Sequence, residues 1–538
     1  MENPINANMN ASNNNISMNL LGVYSNNPDL LKERNEVLKY YYFYGGKAAT
    51  PEDALHELTQ GQSWIIPTDL DYVPSQDIRN HTKKLLQKQR RFMFGAKPDI
   101  LFKPLDKKDK DNAEQKRMIL DKILDDEDFW GKTSRAFLDC TIGKRVLLTV
   151  QANPDEEIVF KYYTMTEFTY EVDPNDYTKV NQVIIAYMDA ETANKPLGEQ
   201  LWHRWKYYMG ENGHCFIESG VYNGFAEPIG EIENKDTLLD ELPCRVIING
   251  GLTGDIDGDS DVKELMDMQN AYNHVSSDYR DALRFRMFEQ PVFTNADSNS
   301  LKNIKIAPNA IIDLQTDPAI EDVCDKSADA KMLSSSFSFK DPADSYLDRL
   351  KSDMYEIMDQ PRPEDLRNVP SAKALKFMFY DLIARCEEKW LDWEPAIKWM
   401  VRFVAKCINQ FNLYPDLQAK QYINTATNMV INHNYPIPED EEVKKELAIK
   451  EVQGNVRSHK SYIRDYSDIE DEDGEWNEIL TEQTDINNAT QDQFQIGNNL
   501  DQQNLNGGKG NEGNVGGGTA GKGGSNPAEE GNDEGGNK

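Results

Sequence analysis

One acidic stretch of the sequence has residue types and part of the spacing of a calcium-binding loop. In TGDIDGDSDVKE, residues 253–264, acidic residues stand at the third, fifth and twelfth positions and a glycine at the sixth. The first position, however, holds Thr253, and a predicted strand precedes the loop instead of a helix. The pattern is more typical of an acidic helix N-terminus, where carboxylates interact favourably with the helix dipole. The alternative is a weak divalent-cation site with the ligands Asp255, Asp257, Asp259 and Glu264.

No motif in the sequence predicts a catalytic site. The stretch GGGTAGKGG imitates a phosphate-binding loop, with Gly516, Gly521 and Lys522 in place, but Gly523 replaces the Ser or Thr that would bind magnesium. No predicted strand or helix flanks this stretch, so a Gly-rich composition explains it. The seven histidines and six cysteines show no HxxxH or CxxC spacing and no grouping typical of a nucleophile or a zinc site. We therefore expect that the protein is not an enzyme and that it has no cofactor.

A charged, proline-rich break separates two strongly helical patterns. The stretch DQPRPEDLRNVPSAKALK covers residues 359–376, and Pro361 and Pro363 cannot continue the preceding helix. The acidic and basic side chains of the break nearly balance. Its polar residues include Asp359, Arg362, Glu364, Asp365, Arg367 and Asn368. Taken alone, these residues suit an ordinary surface connector between helices.

A basic helix is predicted in the stretch SQDIRNHTKKLLQKQRRFMFG, with Ser75 as the N-cap and Gly95 beyond the end. Its cations are Arg79, Lys83, Lys84, Lys88, Arg90 and Arg91. They could contact DNA or an acidic neighbouring subunit. A solvated face with salt bridges to a partner is the more common outcome, so subunit contact is the favoured interpretation.

The overall charge is strongly acidic. The chain has 538 residues, with 59 Lys and Arg against 92 Asp and Glu, which gives a net charge of −33. Because a protein that wraps nucleic acid neutralises phosphates with clustered Lys and Arg, this charge argues against such a protein. It is compatible with a protein past which DNA slides. The N-terminus has no basic start or apolar run and no stretch is long enough to cross a membrane, so we expect a cytoplasmic protein with reduced thiols and no membrane partner.

The first half of the chain reads as helices followed by strands. Helical periodicity predicts helices in residues 28–46, 75–95 and, as one long helix, 113–143. Alternating patterns between residues 144 and 220 then predict one antiparallel sheet of five or six strands, with CRVIING as a last strand. An α+β fold follows from this order of elements.

Long helices dominate the second half. A helix of about 25 residues begins near residue 261, and β-like sequence with turns follows it. Asp341 as N-cap and Pro342 at the first helical position predict the start of the next helix. Beyond the charged break, apolar residues step by three or four from Ser371 to Phe411, which predicts a very long helix with a kink at Pro395. Long helices around an insert indicate an elongated subunit that buries apolar faces against copies of itself.

At this level the sequence resembles the portal proteins of long-tailed bacteriophages, especially those that infect Gram-positive bacteria. Three segments carry the resemblance. The first is IRNHTKKLLQKQRRFMFGAKPDILF, the second runs from PCRVIING through the acidic turn to RFRMFEQPVFT, and the third is DSYLDRLKSDMYEIMDQPRPEDLRNVPSAKALKFMF. Together with the order of elements, the resemblance covers roughly residues 29–480.

The resemblance implies a portal fold with a mixed α/β wing, long stem helices, a small β-containing clip insert and a helical crown. It implies the following division: wing 28–258, stem helix 259–286, clip 287–340, second stem helix 341–358, tunnel loop 359–370, long wing helix 371–411 and crown 412–494. Composition predicts a disordered Asn-rich N-terminus over residues 1–27 and a disordered Gly/Asn-rich tail over residues 495–538.

The resemblance also implies a function and partners. The protein would form a ring, usually of twelve subunits, at the portal vertex of the virion capsid after assembly in the host cytoplasm. Double-stranded DNA would pass through the channel during packaging and ejection. The implied partners are the terminase large subunit, head–tail connector or adaptor proteins, and the major capsid and scaffold proteins. In this interpretation the polar residues of 359–370 face the channel, and ATP hydrolysis belongs to a separate motor.

Two alternatives come from other functional classes. A nucleic-acid-processing enzyme of the packaging apparatus would need a metal cluster or a phosphate-binding loop between a strand and a helix, and the sequence predicts neither. A calcium-binding adaptor would rest on residues 253–264 alone.

Overall fold

The computed structural model describes residues 20–22, 28–46, 60, 72–154, 156–287, 290–302, 314–321, 327–333, 339–368, 372–437, 441–466, 471 and 474–484. Both helices and sheets are present, which confirms the α+β class. The chain forms two compact units, Met1–Pro438 and Glu439–Lys538. The Gly-rich stretch with Gly516, Gly521 and Lys522, the predicted tail and much of the predicted clip lie outside the described residues.

The helices of the first unit differ widely in length. They are α1 (Pro28–Gly45), α2 (His81–Phe94), α3 (Lys110–Asp126), α4 (Phe129–Gly143), α5 (Asp261–Met287), α6 (Ser298–Leu301), α7 (Pro318–Glu321), α8 (Lys340–Ile357), α9 (Ala372–Met378), α10 (Tyr380–Phe411) and α11 (Ala419–Ile423). None of the described helices is both long enough and apolar enough to cross a lipid bilayer.

The strands pair antiparallel throughout the described part of the chain. They are β1 (Asp99–Pro104), β2 (Arg145–Gln151), β3 (Val159–Thr164), β4 (Phe168–Asp173), β5 (Asp176–Met188), β6 (Trp202–Met209), β7 (Cys215–Tyr222), β8 (Glu233–Asp236), β9 (Cys244–Ile248), β10 (Gln290–Thr294), β11 (Asp329–Leu333) and β12 (Thr427–Asn432). The antiparallel prediction is confirmed.

The single predicted sheet is wrong, because these strands form two sheets with the orders β3-β2-β9 and β4-β5-β6-β7-β8. In the first sheet, the central strand β2 is buried on both faces. Val146 and Leu148 of β2 point into one apolar cluster with α4 and α10, whereas Leu147 packs in another cluster with Val183 of the second sheet. A strand covered on both sides is apolar at almost every position. The alternating pattern assumed for β2 predicted one exposed face, and so it predicted too little burial. Two further pairs form: β1-β12, which was not predicted, and β10-β11, whose first strand lies in the stretch predicted to be β-like.

Helix α2 contributes side chains to two separate apolar clusters and so connects them. Its Leu85 and Leu86 pack with α1, α5 and α8, while Phe92 and Met93 pack with α3, α4 and α10. Trp393 of α10 lies in the second group, with ring centroids 5.5 Å from Phe94. Such aromatic packing fixes the orientation of the long helix relative to α2.

Helix α2 begins at His81, six residues later than the predicted cap at Ser75. Asn80 is the N-cap, and its side chain accepts a hydrogen bond from the backbone N of Lys83 at 2.9 Å. Residues 75–79 instead run along α5, where polar side chains accept their backbone N–H groups. The end prediction is confirmed, since Gly95 follows the last helical residue.

Other helix boundaries also differ from the prediction. The long helix expected up to Gly143 is two helices, because Asp128 adopts a left-handed conformation with φ of 48°. The helix expected from Ser371 is also divided, into α9 and α10, with Phe379 between them, and α10 continues through Pro395. Helix α8 begins at Lys340 after Phe339, with no side-chain cap, rather than at Pro342 after Asp341.

Part of the N-terminal segment predicted to be disordered is packed. Leu20 and Leu21 are buried in an apolar cluster with Met188 and Trp202, and the Leu20 carbonyl accepts a hydrogen bond from Arg204 Nε at 2.9 Å. Two adjacent leucines supply enough apolar surface to hold this short stretch on the sheet.

The described residues of the second unit include the helices α12 (Glu441–Gln453) and α13 (His459–Tyr466) and a further helical stretch at residues 474–484. Arg457 links the first two, with Nη1 3.5 Å from Glu451 and Nε donating to Ser461 Oγ at 3.2 Å. His459 stacks on Trp476 with ring centroids 4.8 Å apart.

Candidate functional site

The loop 359–368 begins with a well-defined end of α8. Asp359 is left-handed, with φ of 53°. The backbone N of Asp359 donates to Glu356 O and that of Gln360 donates to Tyr355 O, both at 2.9 Å. This is the Schellman arrangement, which satisfies the last carbonyls of a helix. The helix therefore ends before Pro361. These backbone hydrogen bonds end it, and the prolines come after that end.

One side of the loop base, the first residues after α8, is anchored on the basic helix α2. Gln360 is buried and donates from Nε2 to Leu85 O at 2.8 Å, and Lys88 Nζ donates to Pro361 O at 3.0 Å. Lys88 also lies over the Tyr355 and Phe379 rings, at 5.6 and 5.8 Å. Burial, with Lys84 nearby, lowers the pKa of Lys88 below its usual value. At least one cation of the predicted basic helix thus supports the loop within the same chain.

The remaining cations of that helix have varied surroundings. Lys83 lies over the Tyr44 ring at 5.6 Å, Arg90 donates to Ser134 Oγ at 3.1 Å, and Arg79 pairs with Asp77 at 3.4 Å. Lys84 and Arg91 are exposed, and within the described ranges neither has a carboxylate at ion-pair distance.

Within the loop the charges pair locally. Arg362 Nε lies 2.9 Å from Asp365 Oδ2, and Lys351 of α8 lies 2.7 Å from Glu364 Oε1. The hydrogen bond from Lys351 lowers the pKa of the Glu364 carboxyl. Arg367 is exposed, and residues Asp365–Asn368 form a short 3-10 turn. Residues 369–371 lie outside the described part.

The other side of the loop base is held by a cluster that we call the root network: Asp261, Glu264, Asp359, Arg385 and Lys389. Arg385 of α10 donates from Nη1 to Ile357 O at 3.0 Å and to Asp359 Oδ2 at 3.2 Å. Its Nη2 lies 3.3 Å from Glu264 and 3.6 Å from Asp261, at the start of α5. One guanidinium therefore joins the end of α8, the start of α5 and the long helix α10.

Asp261 is the buried centre of the root network. Its Oδ1 accepts from Lys389 Nζ at 3.0 Å and from Asn249 Nδ2 at 3.1 Å. Burial alone would raise the pKa of the Asp261 carboxyl, but Lys389 and Arg385 outweigh burial, and the pKa lies below its usual value. Asp261 is therefore ionised at neutral pH, and its position at the first residue of α5 also suits the helix dipole.

The predicted calcium-loop residues have other partners. Asp255 Oδ1 accepts from the backbone N of Asp257 at 2.8 Å, and Arg145 Nη1 donates to Asp257 O at 2.8 Å. Asp259 lies 3.5 Å from Lys263, and Glu264 belongs to the root network. Among the described residues, no three His, Cys, Asp or Glu side chains are placed to hold a metal ion together. The arrangement is that of an acidic helix start.

Sequence reasoning missed Arg385, Lys389 and Asp261 as a unit. A signal was present, because Lys389 falls among the apolar residues that form the core face of α10 and is itself buried. A cation on the core-facing stripe of a helix needs a buried carboxylate as partner. Its partner lies 128 positions earlier in the chain, so the sequence alone could not identify it.

Comparison with known proteins identifies a family. No curated protein matches the chain. The family model for phage portal proteins described as SPP1 Gp6-like matches residues 23–489, which is most of the 538 residues. The chain therefore belongs to the SPP1 Gp6-like family of phage portal proteins.

Proposed function

We propose that this portal protein forms a ring, of twelve copies, whose central channel carries double-stranded DNA at one capsid vertex. Packaging by the terminase motor, connection of head to tail and genome ejection would all use this channel. Membership of the portal family supports a structural role in the virion capsid. The partners that we propose are the terminase large subunit, connector or adaptor proteins, and the major capsid and scaffold proteins.

In this proposal α5 and α8 are the stem helices, and the residues between them form the clip. Support comes from their packing, since Val262 and Leu265 of α5 share an apolar cluster with Leu350 and Met354 of α8. Residues 28–258 and the helix of 371–411 would form the wing, and residues 412–494 the crown. The strand pair β10-β11 would lie in the clip.

The observation that carries the proposal is the construction of the loop 359–368. Its base is held on two sides, by α2 and by Arg385, while Arg362, Glu364, Asp365 and Arg367 are exposed. A base held on two sides, with an exposed and internally paired tip, suits a surface past which DNA moves. Because the loop cation Arg362 already has a carboxylate partner in Asp365, it would hold phosphates weakly, and the acidic chain as a whole would repel them.

Ring formation is the first test. Native mass spectrometry of the purified full chain, with negative-stain imaging, should show closed rings of about twelve copies with a hole wide enough for a duplex. A stable monomer at micromolar concentration, at every salt concentration and with scaffold protein present, would contradict the proposal.

The loop itself is tested by replacing residues 362–367 with a Gly-Ser linker of equal length. This leaves Asp359 and Gln360, and hence the loop base, in place. We expect rings of unchanged size and a loss of packaged DNA in a terminase-driven packaging assay. The matched control replaces Glu211 and Asn212, in the turn between β6 and β7, with Gly-Ser and should package normally. Equal packaging by both variants would remove the loop from the proposed function.

A further inference from the structure

Arg385 contacts two exposed carboxylates in nearly the same way, but only one of them belongs to the loop. The guanidinium lies 3.2 Å from Asp359 and 3.3 Å from Glu264, and the side chains of these acids are 41% and 49% exposed. Asp359 is the first residue of the loop, whereas Glu264 lies in the first turn of α5. The two contacts therefore have similar strength and different mechanical consequences.

The third carboxylate partner is different, because it is buried and doubly held. The Asp261 side chain is only 6% exposed and retains Lys389 and Asn249 whether or not Arg385 is engaged with the loop. Removing a partner from a buried ion pair is far more costly than losing an exposed pair. Arg385 is thus fixed on the side of α5, while its bond to Asp359 can break without leaving a buried charge unpaired.

The two ends of that breakable bond lie on opposite sides of the loop. Asp359 and Ile357 belong to the α8 side, and Arg385 lies on α10, the long helix beyond the loop. The bond therefore joins the start of the loop to α10, and Arg385 also donates to Ile357 O at the end of α8. The left-handed backbone at Asp359 places its carboxylate toward Arg385 at the point where α8 ends.

We propose that Arg385 is a positioning residue that acts as a releasable latch across the base of the loop 359–368, with Asp359 as the partner that it releases and Asp261 as the anchor that it keeps. The latch would let the loop change position without disturbing the helices that carry it. The importance of such movement for DNA rests on the proposed function, but the latch exists in the chain without DNA and can be tested there.

The test is hydrogen–deuterium exchange of the full-length protein, comparing Asp359→Asn with Glu264→Gln. Asparagine tolerates a left-handed conformation as well as aspartate does, so the first variant removes charge without adding backbone strain. We expect Asp359→Asn to speed amide exchange in residues 359–367 by about two- to fivefold, the range for one partly exposed ion pair. Glu264→Gln, which removes the equivalent charge from the same guanidinium, should leave exchange in the loop unchanged.

Residues 129–143 of α4 serve as an internal reference, because a general loss of stability would speed exchange there as well. Arg385→Lys, which also disturbs the contacts with Ile357 O, Glu264 and Asp261, should speed exchange in the loop at least as much as Asp359→Asn does. Unchanged loop exchange in Asp359→Asn, or an equal increase in Glu264→Gln, would overturn the latch. Failure to form rings would contradict the proposed function instead, and it would leave the exchange result intact.

Discussion

At the scale of single residues, Asp139 of α4 is a carboxyl group in an unfavourable position. It accepts a long hydrogen bond of 3.3 Å from Tyr41 Oη. Burial, with the nearby Glu167 carboxyl, raises the pKa of Asp139 to about 7. An acid whose pKa is higher in the folded than in the unfolded protein is destabilising wherever the unfolded group is ionised. The penalty therefore begins near the unfolded pKa of about 3.9 and is complete above about pH 7.

We predict that Asp139→Asn stabilises the protein at alkaline pH, because asparagine keeps an acceptor for Tyr41 and has no charge to bury. The gain in the free energy of unfolding should be about 2 kcal/mol larger at about pH 8 than at about pH 5.5, where the wild-type carboxyl is still mostly protonated in the folded protein. Urea denaturation at the two pH values measures the difference. Asp126→Asn, at an exposed position, is the control and should change little at either pH. A gain that is equal at both pH values would show that charge is not the cause.

At the scale of elements, four polar residues of α5 hold an extended segment that sequence reasoning assigned to a helix. Gln269, Asn273, Ser277 and Asp281 recur every four residues, so they share one face of the helix, and all four are buried. Their side chains accept the backbone N–H groups of residues 75, 77, 79 and 81 at 2.8 to 3.1 Å. The segment is extended because α5 supplies the acceptors that a helix would have supplied internally.

Asn273 is the central member of this ladder, and we predict that Asn273→Ala lowers the free energy of unfolding by about 1 to 3 kcal/mol. The cost arises because Arg79 N and Gln60 Oε1 both lose their partner in a buried site. Thermal or urea unfolding measures it. His274→Ala, at the exposed neighbouring position, is the matched control and should cost less. Equal losses would mean that the hydrogen bonds of the ladder do not determine the effect.

How far sequence predicts these elements depends on how local their causes are. The apolar stripe of α10 and the alternation of β5 to β7 were predicted because each element carries its own period. The start of α2 was mispredicted because the cap at Ser75 competes with acceptors on α5, about 200 positions away. The root network was not predicted for the same reason, since the carboxylate partners of Arg385 and Lys389 lie on α5 and at the end of α8.

At the scale of the whole molecule, repulsion between the like net charges of the copies opposes their assembly. Each chain carries a formal charge of −33, and the proposed ring would place many such chains side by side. Like charges repel over a distance that salt shortens, from roughly 20 Å at about 20 mM to about 6 Å at about 300 mM ionic strength. Assembly of this protein should therefore respond to salt in the opposite sense to a complex held by surface ion pairs.

We predict that the fraction of protein in rings rises severalfold between about 20 mM and about 300 mM NaCl. Native mass spectrometry after exchange from each salt concentration, or analytical ultracentrifugation, measures that fraction. The same experiment in sodium sulfate at equal ionic strength separates charge screening from stronger burial of apolar surface. Rings that dissociate as salt rises would indicate that pairs between opposite charges dominate the contacts between copies.

The pairing of β1 with β12 also determines when the first unit can be completed on the ribosome. Asp99 lies opposite Asn432 and Pro104 opposite Thr427, so the two strands are roughly 330 residues apart in the chain. At a synthesis rate of about 5 to 20 residues per second, β1 waits about 20 to 60 seconds for its partner. During that time its hydrogen-bonding edge and the apolar side chains of Ile100 and Phe102 have no native cover from β12. The first unit can therefore be completed only after β12 has been synthesised, and until then the edge of β1 lacks its native partner.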